Sequence, residues 1–299
     1  DAKLLRFDEI KLQGRWHDQL AQFTRILVRS RGGSLQGQAS YHVGTQAAQA
    51  DLALQVPGSN GTLKGQIAPD QGQGQLQLKL RDLRQTSQWL RPWPGMAFLR
   101  QRTLEGSAQL QASWRGGWQH NGQQMQISAQ AQAPAITLTQ AGRIPTQLRD
   151  AKLTLQGRLA QAQLHASGQM QQGSRTLQLA VQGQGGQTKT GWQAQLQTLQ
   201  AQLRDTIQKQ QWQAELASPV PITVAQSRAR LQVQTGAFQI RLRGSTASVQ
   251  EAHIQGEPLR FVQQGKSYQI SSRGSIRGLP LAWIETLSGS AALDQALAG

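Results

Sequence analysis

The sequence predicts an all-β protein, a long antiparallel meander curled into an elongated groove with an apolar interior and minor short helices. Three observations carry that expectation. Apolar and polar residues alternate with a period of two nearly throughout, Gly-rich turn signals separate the alternating runs, and the polar positions are filled mainly by neutral amides: 55 Gln, against 31 Lys+Arg and 15 Asp+Glu, in 299 residues. A period of two marks a strand with one face buried and the other wet. Hydrophobic residues make up 37% of the chain, enough to build a core and to exclude wholesale disorder.

Taken in order, residues 15–29 put Trp16, Leu20, Phe23 and Leu27 on one helical face but also allow a strand through Thr24, Ile26 and Val28, and the strand reading is preferred. In 75–81, Leu76, Leu78 and Leu80 alternate with Gln75, Gln77, Lys79 and Arg81. The same texture recurs in Ala108/Leu110/Ala112/Trp114, Met125/Ile127/Ala129/Ala131, Leu153/Leu155 and Ala162/Leu164/Ala166. It continues in Leu177/Leu179/Val181, Trp192/Ala194/Leu196, Ala229/Leu231/Val233 and Phe238/Ile240/Leu242. Turns are expected at 57–61, 71–74, 115–117, 121–122, 183–186 and 243–244; both Asn residues, Asn60 and Asn121, precede a Gly, a pairing suited to tight hairpins. Short connections between runs mean antiparallel neighbours, since parallel strands need long crossovers. About 18 strands would make a flat sheet on the order of 85 Å across, which is expected to curl with its apolar face inward.

Two segments depart from this texture. Near 84–100 the alternation stops, and Trp89, Leu90, Trp93, Met96, Phe98 and Leu99 gather around Pro92 and Pro94, which predicts short helical turns broken at the prolines. Over 280–297, Leu281, Ile284 and Leu287 follow Pro280 at helical spacing. No shift in composition divides the chain, so 1–299 reads as a single elongated β-rich segment of a larger protein.

Candidate chemistry is sparse. The chain has no Cys, which removes disulfides, cysteine-zinc sites and thiol nucleophiles and fits an oxidising envelope compartment. His17, His42, His120, His165 and His253 are scattered as surface or turn residues; the adjacent pairs His17-Asp18 and Asp8-Glu9 would split across a strand. The sequence has none of the metalloprotease, nucleophile-elbow or phosphate-loop motifs, and its acidic residues are too few for a carboxylate-pair glycosidase. No enzyme, metal or cofactor is expected. The net charge of +16 comes from Arg residues spread singly over polar faces. Without clustered aromatics this argues against nucleic acid and for edge protection, or for attraction to anionic head groups. No window approaches 18 apolar residues, and the chain is expected to be a processed or internal piece whose membrane anchor lies outside it. The apolar face is rich in Ala and thin for a sandwich core, leaving room for an apolar guest.

The repeats Leu35-Gln36-Gly37 and Leu153-Thr154-Leu155-Gln156-Gly157, the run from Ala108 to Trp118, and Gly278-Leu279-Pro280-Leu281-Ala282-Trp283 resemble the TamB family (translocation and assembly module) of AsmA-like proteins. YhdP-type relatives share the texture. The resemblance implies an inner-membrane-anchored periplasmic bridge reaching the outer membrane, with phospholipid as cargo and a TamA-like outer-membrane barrel of the BamA type as partner in barrel or autotransporter assembly. The candidate groove lining is then Leu76, Leu78, Leu80, Leu153, Leu155, Leu177, Leu179, Val181, Leu196, Leu231, Val233, Ile240 and Leu242. A scaffold that offers sheet edges to nascent barrel strands is the alternative.

Overall fold

A computed structural model describes residues 7–189, 191–227, 230–244, 251–265 and 267–278. The chain is all-β, as the alternation predicts: the twenty strands among the described residues belong to one antiparallel sheet, two more than the spacing suggests, with two short helices and one 3-10 turn. The expected C-terminal helix at 280–297 lies outside the described residues. The chain divides into two compact units, Asp1–Gly173 with Gln184–Lys189, and Ser174–Gly183 with Thr190–Gly299.

The first unit holds β1 (Glu9–His17), β2 (Leu20–Ser30), β3 (Gly33–His42), β4 (Ala47–Val56), β5 (Ser59–Ile67) and β6 (Gly72–Leu80), then α1 (Leu83–Leu90), the 3-10 turn Ala97–Leu99, β7 (Arg102–Arg115), α2 (Gln119–Gly122), β8 (Gln126–Gln140), β9 (Thr146–Arg158) and β10 (Gln161–Gln172). Each strand pairs with the next in sequence, a plain meander. Residues 15–29 are strand, but they contain a hairpin turn: Asp18 and Gln19 have φ of 45° and 67°, the left-handed pair that matches strand twist.

Several expected turns lie elsewhere. Asn60-Gly61 sits inside β5 and pairs with Gln55 and Leu54, while the turn is made by Pro57 and by Gly58 at φ 76°. Gly72 opens β6 rather than turning the chain, and 183–186 lies within β11 (Arg175–Thr188). Glycine tolerates both roles, so sequence punctuation alone does not separate them.

α1 forms where the alternation stops. Asp82 caps it, Oδ1 accepting from the Gln85 backbone N–H at 3.1 Å, and Pro92 ends it because it has no backbone N–H to continue the ladder. The helix seats on the ends of the early strands. Thr86 Oγ1 lies 2.5 Å from Ser59 Oγ and 3.0 Å from the Pro57 carbonyl, Trp89 Nε1 donates to the Ser30 carbonyl at 3.4 Å, and Trp89 packs against Trp93 with the rings tilted by 44° and 5.0 Å between centroids.

In the second unit β12 (Gly191–Asp205) is followed by β13 (Gln210–Leu216), β14 (Val220–Gln226), β15 (Arg230–Thr235), β16 (Phe238–Gly244), β17 (Ala252–Gly256), β18 (Arg260–Gln264), β19 (Ser267–Ser271) and β20 (Gly274–Arg277). Hairpins join β12 to β13, β14 to β15, β16 to β17 and β18 to β19, but the strands between these pairs connect differently from the expected meander. β13 and β14 both pair with β12, at 200–205 and 191–196 respectively. β16 then pairs with β13 and β15 with β14, β17 with β16 and β18 with β15, and β20 with β17 and β19 with β18. The segments therefore make long strands, each interrupted once, so this unit is also a meander. Hydrogen bonds at the interruptions carry the ladder across: Ala217 N–H to the Gln239 carbonyl at 2.8 Å, Gly236 N–H to Pro221 at 2.7 Å, and Glu257 N–H to Arg273 at 2.7 Å.

Candidate functional site, the apolar face

Residues paired across antiparallel strands point to the same face, so the registers trace the lining residue by residue. In the first unit one row runs Leu12, Ile26, Gly37, Leu52, Leu63, Leu76, Ala112, Ala129, Leu155 and Leu164, one residue from each of ten strands. The next row runs Ile10, Val28, Leu35, Leu54, Gly61, Leu78, Leu110, Ala131, Leu153 and Ala166. Leu80 begins a third with Ser59, Val56 and Ala108. The five first-unit residues singled out from sequence, Leu76, Leu78, Leu80, Leu153 and Leu155, therefore share one face.

That face is uncovered. Leu76, Leu78, Leu80 and Leu155 are only half-buried, Leu54 and Leu153 are 36% and 39% exposed, and no large side chain is withdrawn completely from water among the described residues. A second layer packed on the rows would have buried their centres, as sandwich cores are buried. The many Ala residues keep the lining low. At one end α1 covers it with Trp89; further along, Trp114 lies flat over Gly74, its Nε1 donating to the Gln66 carbonyl at 2.9 Å. A side chain at Gly74 would occupy the space of the Trp114 ring, which explains glycine inside a strand. The sequence places Trp114 in an alternating run but reads its glycine partner, within Gly72-Gln73-Gly74, as a turn.

The second unit brings the remaining residues into smaller groups. Ile240 lies between Leu216 and Ile254, and Leu242 between Ala214 and Ala252, beside a small buried centre of Trp212 and Ala252 with Leu203 against it. Val233 is flanked by Val224 and Phe261, and Leu196 pairs with Val220. Leu231 has Gln226 and Gln263 as neighbours, at the thin end of its face. On β11, Leu177 and Val181 are half-buried and Leu179 is 41% exposed.

None of the residues in these rows and groups is titratable. Among the described residues no three His, Asp or Glu gather to hold a metal, and no helix is long and apolar enough to cross a membrane. His17 and Asp18 do meet, at 2.6 Å, because the turn at Asp18 cancels the alternation that would have separated them, but both are exposed. The buried carboxylate Asp205 is structural. Burial pushes its pKa up, but hydrogen bonds from the Gln208 and Ile207 N–H groups and from Arg175 and Ser174 outweigh that and hold it below the usual range; the Arg175 Nε pair is 3.1 Å long.

Fold and face together define a class, an antiparallel meander with a one-sided, uncovered apolar lining. No family model, curated protein or solved structure matches the chain.

Proposed function

We propose that the chain is a non-enzymatic lipid conduit whose uncovered face carries acyl chains. One observation supports this above the rest: apolar rows continuous over ten strands, half-exposed, with no protein layer on them. Each methylene moved from water onto such a face is worth about 0.8 kcal/mol, so a smooth lining shields a tail without a specific site. The TamB-like repeat texture leads to the finer reading. Phospholipid would move between inner and outer membranes through the periplasm, with the full-length protein anchored in the inner membrane and working with a TamA-like barrel in outer-membrane assembly.

The test is to purify the chain from bacterial envelope and identify co-extracted lipid by mass spectrometry, with a basic β-protein of similar size as control. Phospholipid above control, reduced at least tenfold in Leu76→Asp and Ile240→Asp variants that keep their β circular dichroism, supports the conduit. The reading fails if no lipid is found and added phospholipid does not load.

The scaffold alternative has one observation of its own. Every residue of β19 is exposed, with Tyr268 and Ile270 at 74% and 61%, and among the described residues it pairs only with β18. An edge of this kind can take up another strand. In that case a Tyr268→Cys variant would trap a cysteine-bearing barrel-strand peptide by disulfide cross-linking, while Leu76→Asp leaves capture unchanged.

A further inference from the structure

The opposite, polar face of the first unit holds a second candidate site, independent of the lipid reading. Two neighbouring register rows there run Asp51, Lys64, Gln75, Ser113, Ser128, Gln156 and Gln66, Gln73, Arg115, Gln126, Arg158. They enclose an open depression of ≈ 710 Å³ across β5 to β9. Its walls are Lys64, Gln73, Gln75, Arg115, Gln126 and Gln156, and its low floor comes from the short side chains of Ser113 and Ser128 with Gly65, Gly74, Trp114 and Ile127, the last two belonging by register to the opposite, apolar face. No carboxylate lines it. Arg115 has no carboxylate partner among the described residues, and Lys64 has one, Asp51 at 3.5 Å on the strand outside the depression.

We propose that this depression binds a linear acidic glycan. Four carboxamides and two hydroxyls supply donors and acceptors of the kind that sugar hydroxyls need, and the two cations supply charge pairing for the acid groups. Lys64 and Arg115 stand two strands apart, roughly 10 Å. That is too far to converge on one small anion but spaced to engage successive acid groups on an extended chain, and Arg158 continues the row two strands beyond Arg115. Nucleic acid fits poorly, because these rows carry no aromatic side chain for base stacking. A membrane surface fits poorly too, because they carry no apolar anchor to insert.

The experiment titrates the 299-residue chain with a labelled oligogalacturonate hexamer at low ionic strength, following fluorescence anisotropy. Matched arms use an uncharged hexasaccharide and a short inorganic polyphosphate. Arg115→Gln is expected to weaken hexamer binding about tenfold, as loss of a charge-assisted hydrogen bond does. Ser128→Trp, which fills the depression from an exposed strand position, should abolish it. Lys152→Gln, an equal charge change on β9 outside the depression, should change it less than twofold. The inference is overturned if the hexamer does not bind, if Lys152→Gln and Arg115→Gln weaken it equally, if the uncharged sugar binds as tightly, or if polyphosphate binds as tightly with the same dependence on residue 128. Should Ser128→Trp lose its β circular dichroism, Arg115→Gln against Lys152→Gln decides.

Discussion

The two units take in the same irregularity by different means. In the first, β8 carries one extra residue at Ala133-Pro134 relative to β7, and β9 one at Asp150 relative to β10, with Asp150 at φ 51°; β8 and β9 stay in register with each other. In the second, the extra residues fall between β13 and β14, around Pro219, and between β17 and β18, around Pro258, and there the strands break. Proline and an inserted residue are common to both units. What differs is the partner strand: the surplus at Pro134 on β8 lies opposite the surplus at Asp150 on β9, whereas the surplus around Pro219 is matched by neither β12 nor β15 and β16. A matched surplus leaves one continuous ladder running past the bulge, whereas an unmatched one leaves the proline to end the strand.

Deletions test this most severely. Removing Pro134 leaves β8 one residue short against β9, with which it is in register, and is expected to cost about 4 kcal/mol or more, the scale of a register error on a one-sided face. Removing Ser218 only closes a break that holds the surplus relative to both neighbours, and should cost about 1 kcal/mol or less. Urea unfolding followed by tryptophan fluorescence would compare them; equal losses would mean that a matched surplus on the partner strand is not what separates bulge from break.

The glycine–aromatic pairs give a smaller contrast. Gly74 lies under Trp114 in mid-strand, and Gly256 under Phe238 at a break. Gly74→Val should cost about 3 kcal/mol by displacing the indole, and Gly256→Val about half as much, because Phe238 opens its strand and has room to turn away. Thermal melts that rank them in the opposite order would show the break to be the stiffer region.

Asp205 sharpens the comparison through pH. Its depressed carboxyl contributes stability that is complete well above the ordinary value of 3.8, declines as pH falls through that value, and is gone below the folded-state pKa. Asp205→Asn should cost about 2 kcal/mol at pH 7 and flatten the acid limb of a stability profile for the second unit. An unchanged acid limb would assign that loss to other carboxylates. The smallest effect is expected in the first unit, where Asp82→Ala removes the cap of α1 at about 1 kcal/mol, read as a small shift in the urea midpoint with Trp89 fluorescence retained.

Much of the candidate face was legible. Leu76, Leu78 and Leu80 share it because side-chain direction along a strand follows from the backbone alone, and α1 was legible because its prolines and Trp cluster interrupt the pattern. The depression on the polar face was not: its Gln, Ser and Lys residues look like any solvated strand face, and only register sets Ser113 beside Ser128 to leave a hollow between longer neighbours.

The chain's local chemistry, then, determined strand, face and the identity of the lining, since a period of two is a property of each extended segment by itself. Tertiary structure decided which segments are neighbours. The slip in apolar parity between Val233 and Phe238 reads equally well as a turn or as a break in one long strand. Hydrogen bonds from β15 to β14, its hairpin neighbour, and from β16 to the more distant β13 select the break. Tertiary structure also decided that Gly74 shelters an indole instead of turning the chain, because glycine's backbone permits both and only the strand beside it supplies the ring.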